Sequence, residues 1–247
     1  MRAELIDYMG NDLTAVNAAR VSFDKESSMI LAQCDCHAYS EDECICGAWS
    51  GLRDELSDKD KKLINYLAKH NHFTPFTHPQ ITLRETVPIF VARQRFKHVV
   101  GFTYNEVSRR YVDDEPEFYY PEVWRSKPEG SVKQGSGTKV VTEITIINNV
   151  ERWTTEIGNA YQGFIEQARF LYEAMIRDNV APEQARMLLP QSMYTSYYVT
   201  GSLAAFARAY KLRKDPHAQK EIQDLADEWD RIIRPLYPVS WESLTGA

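Results

Sequence analysis

Residues 88–111 read PIFVARQRFKHVVGFTYNEVSRRY, and the last nineteen, Arg93 to Tyr111, hold five Arg or Lys side chains and one His. The whole chain carries a formal net charge of -6. A local positive excess inside an acidic protein calls for an anion, and three readings compete: solvated charge, a nucleic-acid patch, or a pocket for a phosphorylated small molecule. The pattern predicts a helix from Pro88 to about Val100, because proline is tolerated at a first helical position. Arg93, Gln94, Lys97 and His98 recur at three- and four-residue steps and share a stripe, while Ile89, Ala92 and Phe96 face the other way. Gly101 is expected to end that helix, and Phe102 to Tyr111 to run as an extended turn returning Glu106, Ser108 and Arg110 towards it.

Around this stretch, 247 residues with 43% hydrophobic content suffice for a full core, and one domain spanning 1–247 fits the size. No apolar run reaches roughly 18 residues, and the N-terminal MRAELIDYMGNDL lacks the apolar stretch of a signal peptide. The expectation is a cytoplasmic protein with no membrane partner. The acidic balance argues against general nucleic-acid binding, which draws its affinity from a broadly basic surface.

The remaining pattern is helix-rich with a few strands. Ala3 to Met9 alternates as a strand, and DLTAVNAARVSF follows as a helix capped by Asn11 or Asp12. Ser57 and Asp60 open a helix that runs to His70, and Ile81 and Leu83 mark a strand. RSKPEGSVKQGSGTK has loop composition, giving an insertion at about 125–145. A long helix is expected from about Asn149 to Asp178, then a short one from Pro182 to Pro190, a strand in MYTSYYVTG and a helix from Leu203 to Leu212. Asp215 and Pro216 are expected to cap the last helix, which buries Ile222, Leu225, Trp229 and Ile232.

All four cysteines, Cys34, Cys36, Cys44 and Cys46, fall in CDCHAYSEDECIC beside His37, within a polar insertion at about 30–56. Four thiolates could close a structural zinc site, although the spacing is not that of a standard finger; reduced thiols on a surface loop are the other reading. A site with four protein ligands has no open position, so the chemistry is not assigned to it. His70, His72 and His78 also lack a usual ligand spacing.

Four blocks in order, KHNHFTPFTH at 69–78, the stretch at 88–111, ARMLLP at 185–190 and LRKDPHAQKEI at 212–222, resemble the flavin-dependent thymidylate synthases. The family signature, Arg-His-Arg followed after seven or eight residues by Ser, stands here as Lys97-His98-Val99, eight residues, Ser108. The Lys-His variant is similar to that of virus-encoded members. The two insertions fall outside the matching blocks.

The resemblance implies an α/β (α+β) fold with a central, largely antiparallel sheet flanked by helices, assembled as a homotetramer with sites at subunit junctions. It implies methylation of dUMP to dTMP, a step of nucleotide biosynthesis, with methylenetetrahydrofolate as carbon donor, reduced FAD as hydride donor and NADPH as reductant. A flavin route suits a chain with no cysteine outside 34–46, since no thiol nucleophile is then needed. Carried over by position, Gln94, Arg95, Phe96 and Lys97 line the dUMP side, and Glu106, Val107, Ser108, Arg109 and Arg110 hold the nucleotide. Ser108 and Arg110 suit a phosphate dianion. Arg186 and Arg213 would meet the uracil, with Arg213 the catalytic candidate because a cation there stabilises charge developing on the ring. FAD contacts would fall on His72, Thr74, Lys97, His98, Val99 and Glu106, and on Ser202, Leu203, Ala204 and Arg208. With Lys97 and Val99 replacing the signature arginines, a bidentate contact becomes a point charge, and Arg208 is placed to restore charge. Two other readings stay open: a zinc-stapled, non-catalytic module binding nucleic acid through 93–111, and a flavoprotein without synthase activity.

Overall fold

The computed structural model describes residues 1–33, 52–112, 114–130 and 135–246. The cysteines, and with them the expected zinc site, lie outside the described residues. In chain order the elements are β1 (Arg2–Met9), α1 (Asp12–Arg20), β2 (Ile30–Gln33), β3 (Leu52–Glu55), α2 (Asp58–Lys69), β4 (Gln80–Pro88), α3 (Ile89–Arg95), β5 (Phe102–Glu106), β6 (Glu143–Ile147), β7 (Arg152–Glu156), α4 (Ile157–Arg177), α5 (Pro182–Ala185), β8 (Tyr194–Ser202), α6 (Leu203–Arg213), α7 (Lys220–Ile233) and α8 (Pro238–Thr245).

Four strands form one sheet in the order β1-β4-β8-β5, and every pairing in it is antiparallel. Strand alternation sorts its faces. Ile81, Leu83, Glu85 and Val87 of β4, with Tyr197 and Val199 of β8, are buried against Phe206 of α6 and Leu225 and Trp229 of α7. Arg84 of β4 and Tyr198 of β8 pair on the opposite, exposed face. The expected α/β fold with an antiparallel sheet flanked by helices is therefore found. No helix among the described residues is long and apolar enough to cross a membrane.

At the centre sits a buried ion pair. Glu85 and Arg95 are both fully buried, with Arg95 Nε 3.1 Å from the carboxylate. Tyr197 Oη (2.6 Å) and Trp229 Nε1 (2.8 Å) also donate to Glu85. The guanidinium lies over Phe102 (4.3 Å) and Trp229 (4.7 Å) and donates to Tyr104 Oη (2.7 Å). The expected place of Arg95 beside dUMP is thus corrected: its donors are spent inside the core. Phe96, half-buried, packs edge-on against Tyr104 and Tyr197.

Several boundaries differ from those expected. The helix begun at Pro88 stops at Arg95 instead of Val100. The β-branched pair Val99-Val100 propagates a helix poorly, and Tyr104 Oη donates to the His98 carbonyl at 2.7 Å. Gly101 then turns the chain at φ +80°, where a Cβ would meet the Ala205 Cβ at 2.9 Å, and Phe102 to Glu106 pairs as a strand. The first turns expected of the long helix are β7, whose Trp153, Thr154 and Thr155 pair with β6 around a turn held by Asn148; the helix itself starts at Ile157. The expected loop at 125–145 includes an Arg125–Val140 bridge and the start of β6. The cap of α7 is Gln219, while Asp215 instead accepts from the His217 N–H at 2.7 Å. A further helix, α8, follows, and Asp12 of α1 accepts from its Val239 and Ser240 N–H groups at 2.9 Å each. The Asn11 and Ser57 caps stand as read.

Arg95→Met should destabilise the protein by about 3–5 kcal/mol, the usual effect of leaving one buried charge without its partner. Chemical denaturation measures it, and adding Glu85→Leu should recover part of the loss.

Candidate active site

Of the nucleotide-assigned residues, Glu106, Val107, Ser108, Arg109 and Arg186 line one cleft and Gln94 and Arg213 another, while exposed Lys97 and Arg110 are in neither lining. The first, of about 460 Å³, opens where β5 ends, β8 begins and the chain turns after α5; Arg84, Glu106, Ser108, Arg109, Arg186 and Ser196 are among its lining residues. Val107 is held there by its N–H to the Ser196 carbonyl, 2.9 Å. Arg84 Nε donates to Ser196 Oγ (3.1 Å) and Thr195 Oγ1 to Glu106 (2.7 Å). Arg109 pairs with Asp114 at 3.1 Å, and Arg110 Nε reaches Ser108 Oγ at 3.4 Å. Arg186 Nε donates to the Glu183 carbonyl, 3.3 Å. Among the described residues Arg84 and Arg186 donate only to neutral oxygens, so both guanidiniums retain charge to offer an anion.

The second cleft, of about 530 Å³, is lined by Gln94, Lys211, Arg213, His217 and Gln219 among others. His98 of the turn after α3 is buried, and its Nε2 accepts from Arg213 Nε at 2.8 Å. Arg213 Nη2 also donates to the Gln94 carbonyl (3.2 Å). Burial, followed by the charges of Arg213, Arg95 and Arg208, pushes the His98 pKa down to about 4. The imidazole is therefore neutral at pH 7, and Nε2 is free to accept. The Gln94 side chain continues through Gln219 to Glu221, whose carboxylate also takes Arg125 Nη2 at 2.6 Å. Within one chain, Arg186 and Ser108 thus line one cleft and Arg213 and Gln94 the other.

The flavin-assigned positions other than Glu106, which lines the first cleft, gather around the start of α6. Ser202 N–H donates to the Gly101 carbonyl and Leu203 N–H to that of Pro79, which ties together the turn after α3, the segment before β4 and the helix N-terminus. Lys97, Val99, His72, Thr74 and Arg208 are exposed, and Arg208 Nη2 donates to the Val100 carbonyl at 2.6 Å. Ala204 is half-buried. Three of these side chains are turned inward or taken up by the chain itself. Leu203 is a fully buried core side chain; Ser202 Oγ is taken up capping Ala205 N at 3.2 Å; the His98 ring is buried against Arg213. Sequence reasoning missed Arg84, whose only signal was its place on the polar side of a strand, and whose neighbour Ser196 comes from a distant segment.

The chain matches the family model described as Thymidylate synthase complementing protein over residues 4–239. It is 35% identical over 240 residues to a flavin-dependent thymidylate synthase of Thermotoga neapolitana, covering 97% of this chain and 88% of that one. The chain belongs to the flavin-dependent thymidylate synthases. A relative of the same name from Rickettsia bellii is 32% identical over 248 residues, covering 97% and 74% of the two chains. Among solved structures, the UMP/dUMP methylase PolB from Streptomyces cacaoi bound with 5-Br dUMP aligns with a TM-score of 0.69 and 25% identity over 99% of this chain and 94% of that one. The same methylase bound with 5-Br UMP gives 0.71 at 23% identity, over 99% and 93%, a likeness of fold. This flavin-dependent thymidylate synthase is accordingly an enzyme, a methyltransferase by family, and its sheet is the one its structural relatives share.

Burial raises the Glu221 pKa, but hydrogen bonds from Arg125 and Gln219 outweigh it and hold the carboxyl below its ordinary 4.5. A depressed folded value contributes stability above the unfolded pKa and loses it as pH falls through the folded one. Thermal unfolding between about pH 6 and pH 3 should therefore fall less steeply for Glu221→Gln than for the unsubstituted protein.

Proposed function

We propose that this enzyme converts dUMP to dTMP, with methylenetetrahydrofolate as carbon donor, FAD as bound cofactor and NADPH as reductant of the flavin. The observation that carries the reading is the cleft where Arg84 and Arg186, two guanidiniums without a carboxylate partner among the described residues, meet Ser108. Such a donor set suits a phosphate dianion, to which planar guanidiniums give paired, charge-assisted hydrogen bonds. The methylase solved with 5-Br dUMP supports a nucleoside monophosphate as the substrate class.

Ser108, Arg110 and Arg186 hold the nucleotide, Glu106, Val107 and Arg109 shape the segment that carries them, and Arg84 joins the set. Arg213 meets the uracil, where its cation stabilises negative charge developing as the ring is activated. Gln94 fixes Arg213 through its carbonyl. Ser108 binds and does not attack, since no base lies against its hydroxyl among the described residues.

The residues around the start of α6 fit a flavin dinucleotide. Lys97 and Arg208 offer exposed positive charge for a pyrophosphate, and Phe73, Val99 and Val100 expose apolar surface for a flat ring. His72 and Thr74 flank that surface. Bound and reduced, FAD supplies the hydride that completes the methyl group.

A homotetramer with sites at subunit junctions accounts for the split between the clefts, because Arg213 of one chain can then face Arg186 of another. Exposed Phe164, Phe170 and Leu171 on α4 are apolar surface of the kind that assembly covers. The nucleic-acid module loses its main support, since Arg95 is buried and Arg109 is paired, which breaks up the basic stretch. A flavoprotein without synthase activity remains as an outcome of the assay.

Protein reconstituted with FAD should be yellow, bleach with NADPH, and release tritium from C5-labelled dUMP once methylenetetrahydrofolate is added. Tritium at background with every component present would overturn the reading. Arg186→Ala should raise KM for dUMP roughly ten- to hundredfold, the worth of one hydrogen bond to a charged group. Arg213→Ala should abolish turnover with circular dichroism unchanged.

A further inference from the structure

We infer that His98 is a positioning residue: its ring Nε2 accepts from Arg213 Nε and, together with the Gln94 carbonyl, sets the plane in which the Arg213 guanidinium faces its cleft. This rests on the reading of Arg213 as the uracil contact. A guanidinium held at two of its nitrogens by acceptors on the neighbouring turn has a fixed plane, and its remaining donors point in one direction. One held at a single point rotates.

His98 is itself fixed from the core. Its N–H donates to the Arg95 carbonyl at 3.1 Å, and its carbonyl takes Tyr104 Oη at 2.7 Å. Tyr104 accepts from Arg95, which is locked onto Glu85. Hydrogen bonds joined through the covalent frame of His98 therefore link the buried ion pair of β4 and α3, by way of β5, to Arg213 on α6. The charged groups acting on the imidazole are Arg213 and Arg208 from α6 and Arg95 from α3, while Tyr104 of β5 holds the His98 backbone carbonyl. The three cations and burial oppose protonation, so the accepting lone pair persists at neutral pH. Glutamine can set an amide oxygen where Nε2 lies; asparagine is polar but too short, and leucine offers no acceptor.

The test compares His98→Leu, His98→Asn and His98→Gln for kcat, KM for dUMP, FAD affinity by fluorescence titration, and melting temperature. The role predicts a kcat loss of up to about a hundredfold for Leu and Asn, the effect of a misplaced catalytic group. Gln should recover most of the rate, with FAD affinity equal in all three. Should Leu fail to fold, the Asn and Gln pair still decides. A cycle with Arg213→Lys, whose ammonium cannot make the Nε contact, should be non-additive: the double variant is no slower than Arg213→Lys alone. Equal rates for Asn and Gln, additive losses, or an FAD affinity that falls alike in every variant, which would make the ring a flavin contact, each overturn the inference. Turnover of Arg213→Ala at the unsubstituted rate would instead sink the reading of Arg213, and that single variant keeps the two failures apart.

Discussion

The Glu85–Arg95 pair is the constraint on which the rest of the molecule is arranged. Moving two charges out of water costs several kcal/mol per ion, and a pair alone rarely recovers it. Here the remaining lone pairs and protons are met by Tyr197, Trp229 and Tyr104, and the guanidinium faces lie on aromatic rings. These partners come from β4, α3, β5, β8 and α7, so only one arrangement of the five elements satisfies every group. Through the Arg95 to Tyr104 contact the pair ties β5 to the end of α3, and Tyr104 in turn holds the Lys97-His98 turn by the His98 carbonyl.

That arrangement also explains how an acidic chain presents cationic sites. Of the basic residues in 93–111, one is buried in the core and one is paired with Asp114, while Arg93, Lys97 and Arg110 remain exposed. The first cleft is lined instead by Arg84 and Arg186, from segments far from that stretch, beside Arg109. Cationic side chains are thus brought into the clefts singly, from several elements, and share the lining of the first with the carboxylates of Glu106, Asp114, Glu115 and Glu117.

Much of the fold was legible because its periods are strong. The alternation in Ala3–Met9, Ile81–Leu83 and MYTSYYVTG gave three of the four strands of the main sheet, and the caps Asn11 and Ser57 gave two helix starts. The errors share a cause, which is tertiary partnership that a local window does not contain. Tyr104 ends α3 from another strand, β6 converts the expected helix start at Arg152 into a strand, and Asp12 caps α8 from the far end of the chain. The candidate site followed the same rule. Ser108, Arg186, Gln94 and Arg213 were singled out through ordered blocks and line the two clefts, whereas Arg84 sits on a strand with no local mark, and the burial of Arg95 was not legible because a buried arginine and a ligand-binding one look alike in sequence.

The pairing of β4 with β8 sets the order in which the chain can fold. These two central strands are neighbours in the sheet, yet Glu85 and Tyr197 stand 112 positions apart. A polypeptide emerging from the ribosome therefore carries β4 with one edge unpaired, and with the Glu85 carboxylate still lacking its tyrosine and tryptophan donors, until β8 and α7 have been made. Long-range closure of this kind slows folding, and everything inserted between β5 and β8 lengthens the wait only weakly, since loop entropy grows with the logarithm of length. The middle of the chain is consequently where this architecture can accept new segments at small kinetic cost.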